Sequence, residues 1–305
     1  MSKKKILVQI DPDPHPSVFD SVVAIDSGAD QLLSHGAVSE DDVTGLVHGC
    51  IFTRSPNDLK STALFFGGSN VDRSEALVAK AKATFFGPMR VSLMADPNGC
   101  NTTAAAAVLS TGKHVSWDGL TVTILAATGP VGIRIAQILA NEIHSAEGQI
   151  TIRICSRAMK RAEAACDKAS IDGAAKITLV PLEVSNADDA LSAVEGADVV
   201  FAAGAAGVEL LPDGWQQHSP KVVVDVNAVP PYGIAGVEVT DNAQSRGETV
   251  CYGAIGVGGL KMKIHRKCIE SLFESNDKVL EVHEIHAIGK SLAWKVANTS
   301  RSDII

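Results

Sequence analysis

The segment Ala127-Thr128-Gly129-Pro130-Val131-Gly132 has the spacing of a loop that cradles phosphates. The dinucleotide fingerprint is G-x-G-x-x-G at a strand-to-helix turn. Gly129 and Gly132 fill its second and third places, where the backbone approaches a pyrophosphate and the helix packs close against the strand; Ala127 stands in the first. Residues 120–127 (LTVTILAA) are apolar and largely β-branched, as a buried parallel strand requires. The following IRIAQILANEI reads as a helix whose free N–H groups and positive dipole end face an anion. The end of the next strand separates the nicotinamide dinucleotides: an acid there accepts the ribose hydroxyls of NAD, and an arginine meets the 2′-phosphate of NADP. This strand ends in Cys155-Ser156-Arg157, with Lys160 and Arg161 one turn on and no carboxylate at its tip. Arg157 can stack on adenine and hydrogen-bond a phosphate, so Ser156, Arg157 and Arg161 favour NADP over NAD. The plainer reading of the same basic residues is a solvated helix start.

Two further clusters sit where α/β proteins bind ligands, at the carboxyl ends of strands. RVSLMAD (90–96) runs into the polar turn PNGCNTT, which brings Asp96, Asn98, Asn101, Thr102 and Thr103 to one strand end. Asp96 can equally be a strand-end cap, and Thr102 can cap the next helix. KVVVDVNA (221–228) delivers Asn227 and the Pro230-Pro231 pair to a place that faces nicotinamide in a Rossmann unit. A cis bond at either proline is open at this level.

These residues need a scaffold, and the pattern supplies one. Strands are predicted at 4–10 and 90–96, with helices at 17–30, 73–84 and from the alanine run after residue 103. Residues 43–54 and 62–68 form further pieces of strand and helix. After the polar stretch 111–119 come the strand at 120–127, its helix, the strand QITIRICSR, a unit from VPLEV through DDALSAVEG to ADVVFAAG, and the strand at 221–228. GAIGVGGLKMKIHRKCIESLFES (253–275) reads as a glycine-rich turn entering an amphipathic helix, with Ile264, Cys268, Ile269, Leu272 and Phe273 on its apolar side. Strand–helix alternation of this kind implies α/β layers. The expected fold is a Rossmann-type, doubly wound parallel sheet at 113–257, inserted into a smaller α/β substrate domain made of 1–112 and completed by 258–305. The active site is expected in the cleft between the two.

Composition limits what such a chain can do. Its 305 residues suit two ordinary domains, and 46% hydrophobic with 20% charged residues is the balance of a soluble globular protein. A net charge of −8 argues against a nucleic-acid partner, which wants a basic stripe. No apolar run reaches membrane-spanning length, and the opening MSKKKILVQIDPD is too short in its apolar part for an export signal, so a cytoplasmic protein is expected. The six cysteines are scattered without a C-x-x-C pair, which suggests reduced, packed thiols. His283 and His286 have helical spacing but no third ligand, so a surface helix face and no metal are expected.

Several long strings together carry a specific resemblance: DPDPHPSVFD (11–20), FFGPMRVSLMADPNGCNTTAAAA (85–107), ATGPVG (127–132), AAGAAGVELLP (202–212), VDVNAVPPYGIAG (224–236) and GAIGVGGLKMKIHRKCIESLFES (253–275). Across nearly its whole length the sequence resembles the NADP-dependent methylene-tetrahydromethanopterin and methylene-tetrahydrofolate dehydrogenases of methylotrophic bacteria. The resemblance implies oxidation of the methylene bridge of a reduced pterin to the methenyl cation, NADP⁺ as hydride acceptor, a pterin-binding domain beside a Rossmann domain, and a homo-oligomer, a trimer or a multiple of one. It places Lys261 and Asp20 in the pterin cleft and Arg157 at the 2′-phosphate. Asn98, Asn101, Thr102 and Thr103, by their position at a strand's carboxyl end, can grip the donor–acceptor edge of the pterin ring. Cofactor contacts would come from Thr128, Gly129, Pro130, Val131, Gly132, Ser156, Arg161, Ala203 and Asn227. Arg161 stands where relatives carry lysine, Ala127 and Ser156 where they carry glycine. Loss of hydride leaves a cation on the substrate, and a carboxylate at Asp20 or Asp96 would stabilise it. Lys261 fits hydrogen bonding to the pterin better than nucleophilic attack.

Two other functions remain compatible with the residues alone. One is another two-domain NADP oxidoreductase acting on a shikimate-like or amino-acid-like substrate, which would want a Lys–Asp pair for proton transfer. The other is a non-catalytic NADP-binding module, which would not need polar groups at Asp20, Asn98 and Lys261.

Overall fold

The computed structural model describes residues 3–146, 148–170 and 176–302. In chain order the elements are β1 (Ile6–Ile10), α1 (Val18–Asp26), β2 (Gln31–His35), α2 (Glu40–Ile51), β3 (Thr62–Phe66), α3 (Val71–Thr84), β4 (Ser92–Ala95) and α4 (Cys100–Thr111). There follow β5 (Leu120–Leu125), α5 (Pro130–Ala146), β6 (Ile150–Ser156), α6 (Met159–Ala169), β7 (Ile177–Glu183), α7 (Ala187–Val194), β8 (Val199–Ala202), β9 (Val222–Asp225), β10 (Asn242–Arg246) and β11 (Thr249–Tyr252). The chain ends with α8 (Ala254–Ser271), β12 (Val279–Leu280) and α9 (Val282–Ser302). No helix among the described residues is long and apolar enough to cross a membrane.

Two compact units divide the chain, Met1–Thr102 with Met262–Ile305, and Thr103–Lys261. The divisions fall inside α4 and α8 rather than at the polar and glycine-rich stretches where the sequence suggested crossings.

The first unit holds a five-stranded sheet in the order β12-β4-β3-β1-β2, every pair parallel. Read from β2, this is the flavodoxin-like doubly wound order, with its reversal between β1 and β3. β3 (TALFF) is buried along its length, and Ile10, Leu64, Phe66, Leu77, Val91 and Leu93 share its core with Val43, Val47 and Ile51 of α2. The latter settles residues 43–54 as mostly helix. β2 was not predicted: QLLSH is an edge strand largely open to solvent, so it lacks the apolar run that marks its neighbours. Side chains start the helices as their types require. Ser17 Oγ accepts the Asp20 N–H at 3.2 Å, and Asn70 Oδ1 accepts the Arg73 N–H at 3.0 Å.

The second unit holds a seven-stranded sheet in the order β10-β11-β9-β8-β5-β6-β7. Six of its strands are parallel; β10 alone runs antiparallel, on β11. The run β7-β6-β5-β8-β9 is that of a Rossmann unit, and its reversal lies between β5 and β8. Trp215, Leu211, Val200 and Val223 anchor its core beneath α7. The β10–β11 hairpin escaped prediction because NAQSR is polar and mostly exposed, with no alternation to signal a strand.

The predicted glycine turn at 253–260 is instead the first turns of α8. A Cβ on Gly256 would stand 1.9 Å from the Asp241 carbonyl oxygen, so glycine here lets the helix start touch a neighbouring backbone rather than bend. The apolar residues Ile264, Cys268, Ile269, Leu272 and Phe273 are all buried, as their spacing implied. His286 is buried too, which corrects the reading of its helix face as surface; His283 is exposed.

Candidate active site

The loop between β5 and α5 is built by close backbone contact. A Cβ on Gly132 would lie 2.6 Å from Ala127 Cα and 2.8 Å from the Ala127 carbonyl oxygen. Only glycine lets α5 start this near the strand end, which is the third-glycine role. Gly129 faces the Ala203 carbonyl, 3.4 Å from where its Cβ would be, so Ala203 at the end of β8 and the loop after β5 meet at the sheet's reversal. Ala127 itself is fully buried and donates its N–H to Cys155 O at 2.9 Å. The positive φ of the turn falls one residue earlier, on Ala126, at 52°. Thr128, Gly129 and Val131 are half-buried and Pro130 is exposed, so the loop presents its backbone outward. A dinucleotide pyrophosphate fits this cradle: the space is kept by two glycines, and the N-terminus of a 17-residue helix supplies N–H groups.

At the next strand end, Arg157 is exposed, and Arg161 reaches back to the loop, its Nη2 donating to Thr128 Oγ1 at 3.4 Å. Ser156 is nearly buried, with its hydroxyl 3.5 Å from the Ala158 N–H. The absence of a carboxylate at the tip of β6 is only half of the picture. Glu183, at the tip of β7 and paired in register with Ser156, accepts the Met159 N–H at 2.8 Å, at the start of α6. Sequence reading missed it because it followed β6 alone, whereas the acid arrives from the adjacent strand.

Asn227, expected as a cofactor contact, lies in the loop after β9. It is buried, and its side chain is used within the loop after β9: Oδ1 accepts the Val229 N–H at 3.0 Å and lies 3.4 Å from the Gly207 N–H, while Nδ2 donates to Pro231 O at 3.1 Å. Asp225 below it accepts the Asn227 and Ile234 N–H groups at 2.9 and 3.0 Å. Burial pushes the Asp225 carboxyl above its ordinary range, against those hydrogen bonds. Both residues shape the loop that carries exposed Val229, Pro230 and Pro231. The Pro230–Pro231 peptide is cis.

The first unit gathers its polar groups at its own reversal, between the ends of β1 and β3. Asp11 is buried. Its Oδ1 accepts the Asp13 N–H at 2.8 Å, and its Oδ2 lies 3.4 Å from the Ser17 N–H. Burial, helped by the charge of Asp13, raises its pKa. Asp13 ties the two loops together by accepting the Ser69 N–H at 2.8 Å and the Ser69 hydroxyl at 3.1 Å. Ser17 caps α1 and so fixes Asp20 in its first turn. A Cβ on Gly67 would stand 3.3 Å from Asp11 Oδ2 and 3.6 Å from Asp20 Oδ2, which puts both carboxylates over the end of β3. Asp11, Asp13 and Ser69 were not singled out in the sequence. DPDP after β1 and GGS after β3 are the signals, legible once the sheet order names the reversal.

Asp96, expected as a catalytic candidate or a strand-end cap, is hydrogen-bonded as a cap. It has no exposed surface and accepts the Asn101 and Thr102 N–H groups at 2.9 and 3.0 Å and the Thr102 hydroxyl at 2.6 Å. Its carboxylate holds the start of α4 to the end of β4. The same contacts occupy the Thr102 hydroxyl and N–H. Asn101 is also buried, its Nδ2 donating to Ala95 O at 2.6 Å. Asn98 and Thr103 stay accessible. Asn98 is exposed in a left-handed conformation (φ 52°) and donates its N–H to Gly68 O at 2.8 Å, beside the end of β3. Lys261 is half-buried on α8, one helical turn before His265. His265 is buried, stacked on Phe65 at 5.6 Å and edge-on to Phe19 at 6.3 Å, with Nδ1 3.7 Å from Asp96 Oδ2. All six cysteines are free thiols and five are buried; burial pushes Cys50 and Cys155 up to about 12. Among the described residues no group of three or more His, Cys, Asp or Glu is placed to hold a metal.

A Rossmann sheet with this loop at its reversal, in one chain with a second doubly wound α/β unit, defines a two-unit dinucleotide-binding protein. Residues 18–98 match the family model described as methylene-tetrahydromethanopterin dehydrogenase, N-terminal. Two proteins of Methylorubrum extorquens are similar over almost the entire length. The bifunctional protein MdtA is 44% identical over 301 residues, 95% of this chain and 99% of that one. An NAD(P)-dependent methylenetetrahydromethanopterin dehydrogenase is 31% identical over 305 residues, with the same coverage. The chain belongs to the methylene-tetrahydromethanopterin dehydrogenase family. Among solved structures, ligand-free aspartate transcarbamoylase from Trypanosoma cruzi superposes with a TM-score of 0.51 at 11% identity, covering 91% of this chain and 83% of that one. At that identity the likeness shows a shared α/β fold alone.

Proposed function

We propose that this protein oxidises methylene-tetrahydromethanopterin to its methenyl form by direct hydride transfer to NADP⁺, a step of one-carbon metabolism on the route of formaldehyde oxidation, in a homo-oligomer. Methylene-tetrahydrofolate, which shares the reacting pterin, is the second substrate in question. The observation that carries the reading is the Gly129–Gly132 cradle at the reversal of the Rossmann sheet, with Arg157 and Arg161 at the next strand end, in a chain of this family.

NADP⁺, when bound, supplies the hydride acceptor. The protein supplies placement and charge. Gly129, Pro130, Val131 and Gly132 hold the pyrophosphate through backbone groups; Arg157, with Ser156 and Arg161, meets the 2′-phosphate; Ala203 lines the approach. On the substrate side, Asn98 and Thr103 offer polar groups to the pterin edge, and Lys261 hydrogen-bonds the ring. Asp20 stabilises the positive charge that grows on the substrate as hydride leaves. No proton transfer is needed, which distinguishes this chemistry from that of a Lys–Asp pair acting on a shikimate-like substrate.

Steady-state rates with both methylene pterins, each with NAD⁺ and NADP⁺, test the proposal. NADP⁺ is expected to show the higher kcat/KM, and Arg157→Glu to erase that preference. An unchanged ratio in the variant overturns the assignment of the 2′-phosphate to Arg157. No rate with either pterin overturns the reaction.

A further inference from the structure

Glu183 is a charged group inside the proposed cofactor corner, with no part in the mechanism so far. Its carboxylate is exposed and accepts the Met159 N–H at 2.8 Å, and its strand position is paired with Ser156. The backbone from Ser156 to Met159 is also where Arg157 must offer a 2′-phosphate its contacts. A dianionic phosphate and a resident carboxylate compete there for the same N–H group, and they repel one another. A dinucleotide that carries a 2′-hydroxyl instead meets an acceptor in the same carboxylate, the role an acid plays in NAD sites.

We propose that Glu183 is a specificity-determining residue of the cofactor corner, lowering its preference for NADP over NAD. The inference rests on the assignment of the corner around Arg157 to the adenosine ribose. Arg157 and Arg161 supply attraction for the phosphate; Glu183 subtracts from it, and the balance of the three sets the ratio.

The test compares Glu183→Gln with the unaltered protein. Glutamine keeps an amide oxygen for the Met159 N–H, so the start of α6 keeps its acceptor while the charge is removed. Binding of 2′,5′-ADP and of 5′-AMP is measured by calorimetry at two ionic strengths, and kcat/KM is measured with NADP⁺ and NAD⁺. The expected result is about a tenfold shift of both ratios toward the 2′-phosphorylated member, shrinking at high salt as a surface charge effect must. Equal changes in both nucleotides overturn the proposal and leave Glu183 a helix cap only. An unchanged ratio also overturns it while leaving the cofactor site in place, provided that Arg157→Glu still abolishes the preference for 2′,5′-ADP. If Arg157→Glu has no effect either, the adenosine corner itself is misplaced and both readings fail.

Discussion

The two units solve one topological problem with opposite charges. Each has a sheet whose strand order reverses, between β1 and β3 in the first and between β5 and β8 in the second, and in α/β sheets the carboxyl ends of the strands at such a reversal are where a crevice for ligands forms. The second unit fills its crevice with backbone N–H groups and follows it with Arg157 and Arg161. The first lines its crevice with Asp11, Asp13 and Asp20, over a strand end kept bare by Gly67. Parallel-sheet geometry fixes where a ligand goes; the side chains at the strand ends fix its sign. An electropositive crevice suits a dinucleotide carrying phosphates. An acidic one suits a substrate that becomes a cation as it reacts.

If that contrast is functional, the largest effect should come from removing charge on the acidic side. Asp20→Asn keeps size and the α1 cap but takes away the carboxylate. By comparison with the loss of a single charge-stabilising group elsewhere, kcat should fall by about 10²- to 10³-fold. Titration with NADPH should give an affinity within twofold of the original, since the dinucleotide belongs to the other unit. A kcat reduced by less than threefold would show that the growing positive charge is stabilised by something other than Asp20.

Gly132→Ala strikes the other crevice, with a smaller effect of a different kind. The added methyl must displace Ala127 backbone atoms that would lie 2.6 to 2.9 Å away, and these cannot swing aside as a side chain tip does. Overpacking of this sort destabilises by about 1–3 kcal/mol, and it widens the gap between α5 and β5 that the phosphates use. Urea unfolding should show the loss, and NADPH affinity should fall with it. A variant with normal stability and normal affinity would mean that the helix start has room the structure does not show.

The two crevices were also unequally legible in the sequence. The Rossmann side announced itself through local spacing: six consecutive residues between an apolar strand and a helix suffice to place Gly129 and Gly132. The acidic side depends on partners far apart in the chain, Asp13 with Ser69 or Asp11 with Gly67, and no local pattern marks them until the strand order is known. Asp96, Asn101, Thr102 and Asn227 share one feature. Each is a polar residue at a strand end, where ligands do bind, and each makes hydrogen bonds close by in the chain, to backbone or, for Thr102, to the Asp96 carboxylate. Buried polar groups must find hydrogen-bond partners, and in a tight turn the nearest are internal. Glu183 is the converse case, an acid that local spacing does not single out because β7, and not the strand preceding Arg157, carries it.

The smallest effect concerns the turns themselves. Both crevices have a residue with φ near 52° beside them: Asn98 in the first unit, Ala126 in the second. Asparagine visits this region readily, whereas an alanine there is disfavoured by about 1–2 kcal/mol. Ala126→Gly removes that strain, offset in part by the greater entropy glycine loses on folding, about 0.5–1 kcal/mol. The net expectation is a stabilisation of about 0.5–1 kcal/mol, read as a higher urea midpoint at unchanged slope. Asn98→Gly gives up the same entropy without relieving an alanine's strain, so it should be neutral or slightly destabilising. Of the two variants, Ala126→Gly should therefore be the more stabilised relative to the unaltered protein. No gain in stability from Ala126→Gly would mean that its left-handed turn holds no strain for glycine to relieve.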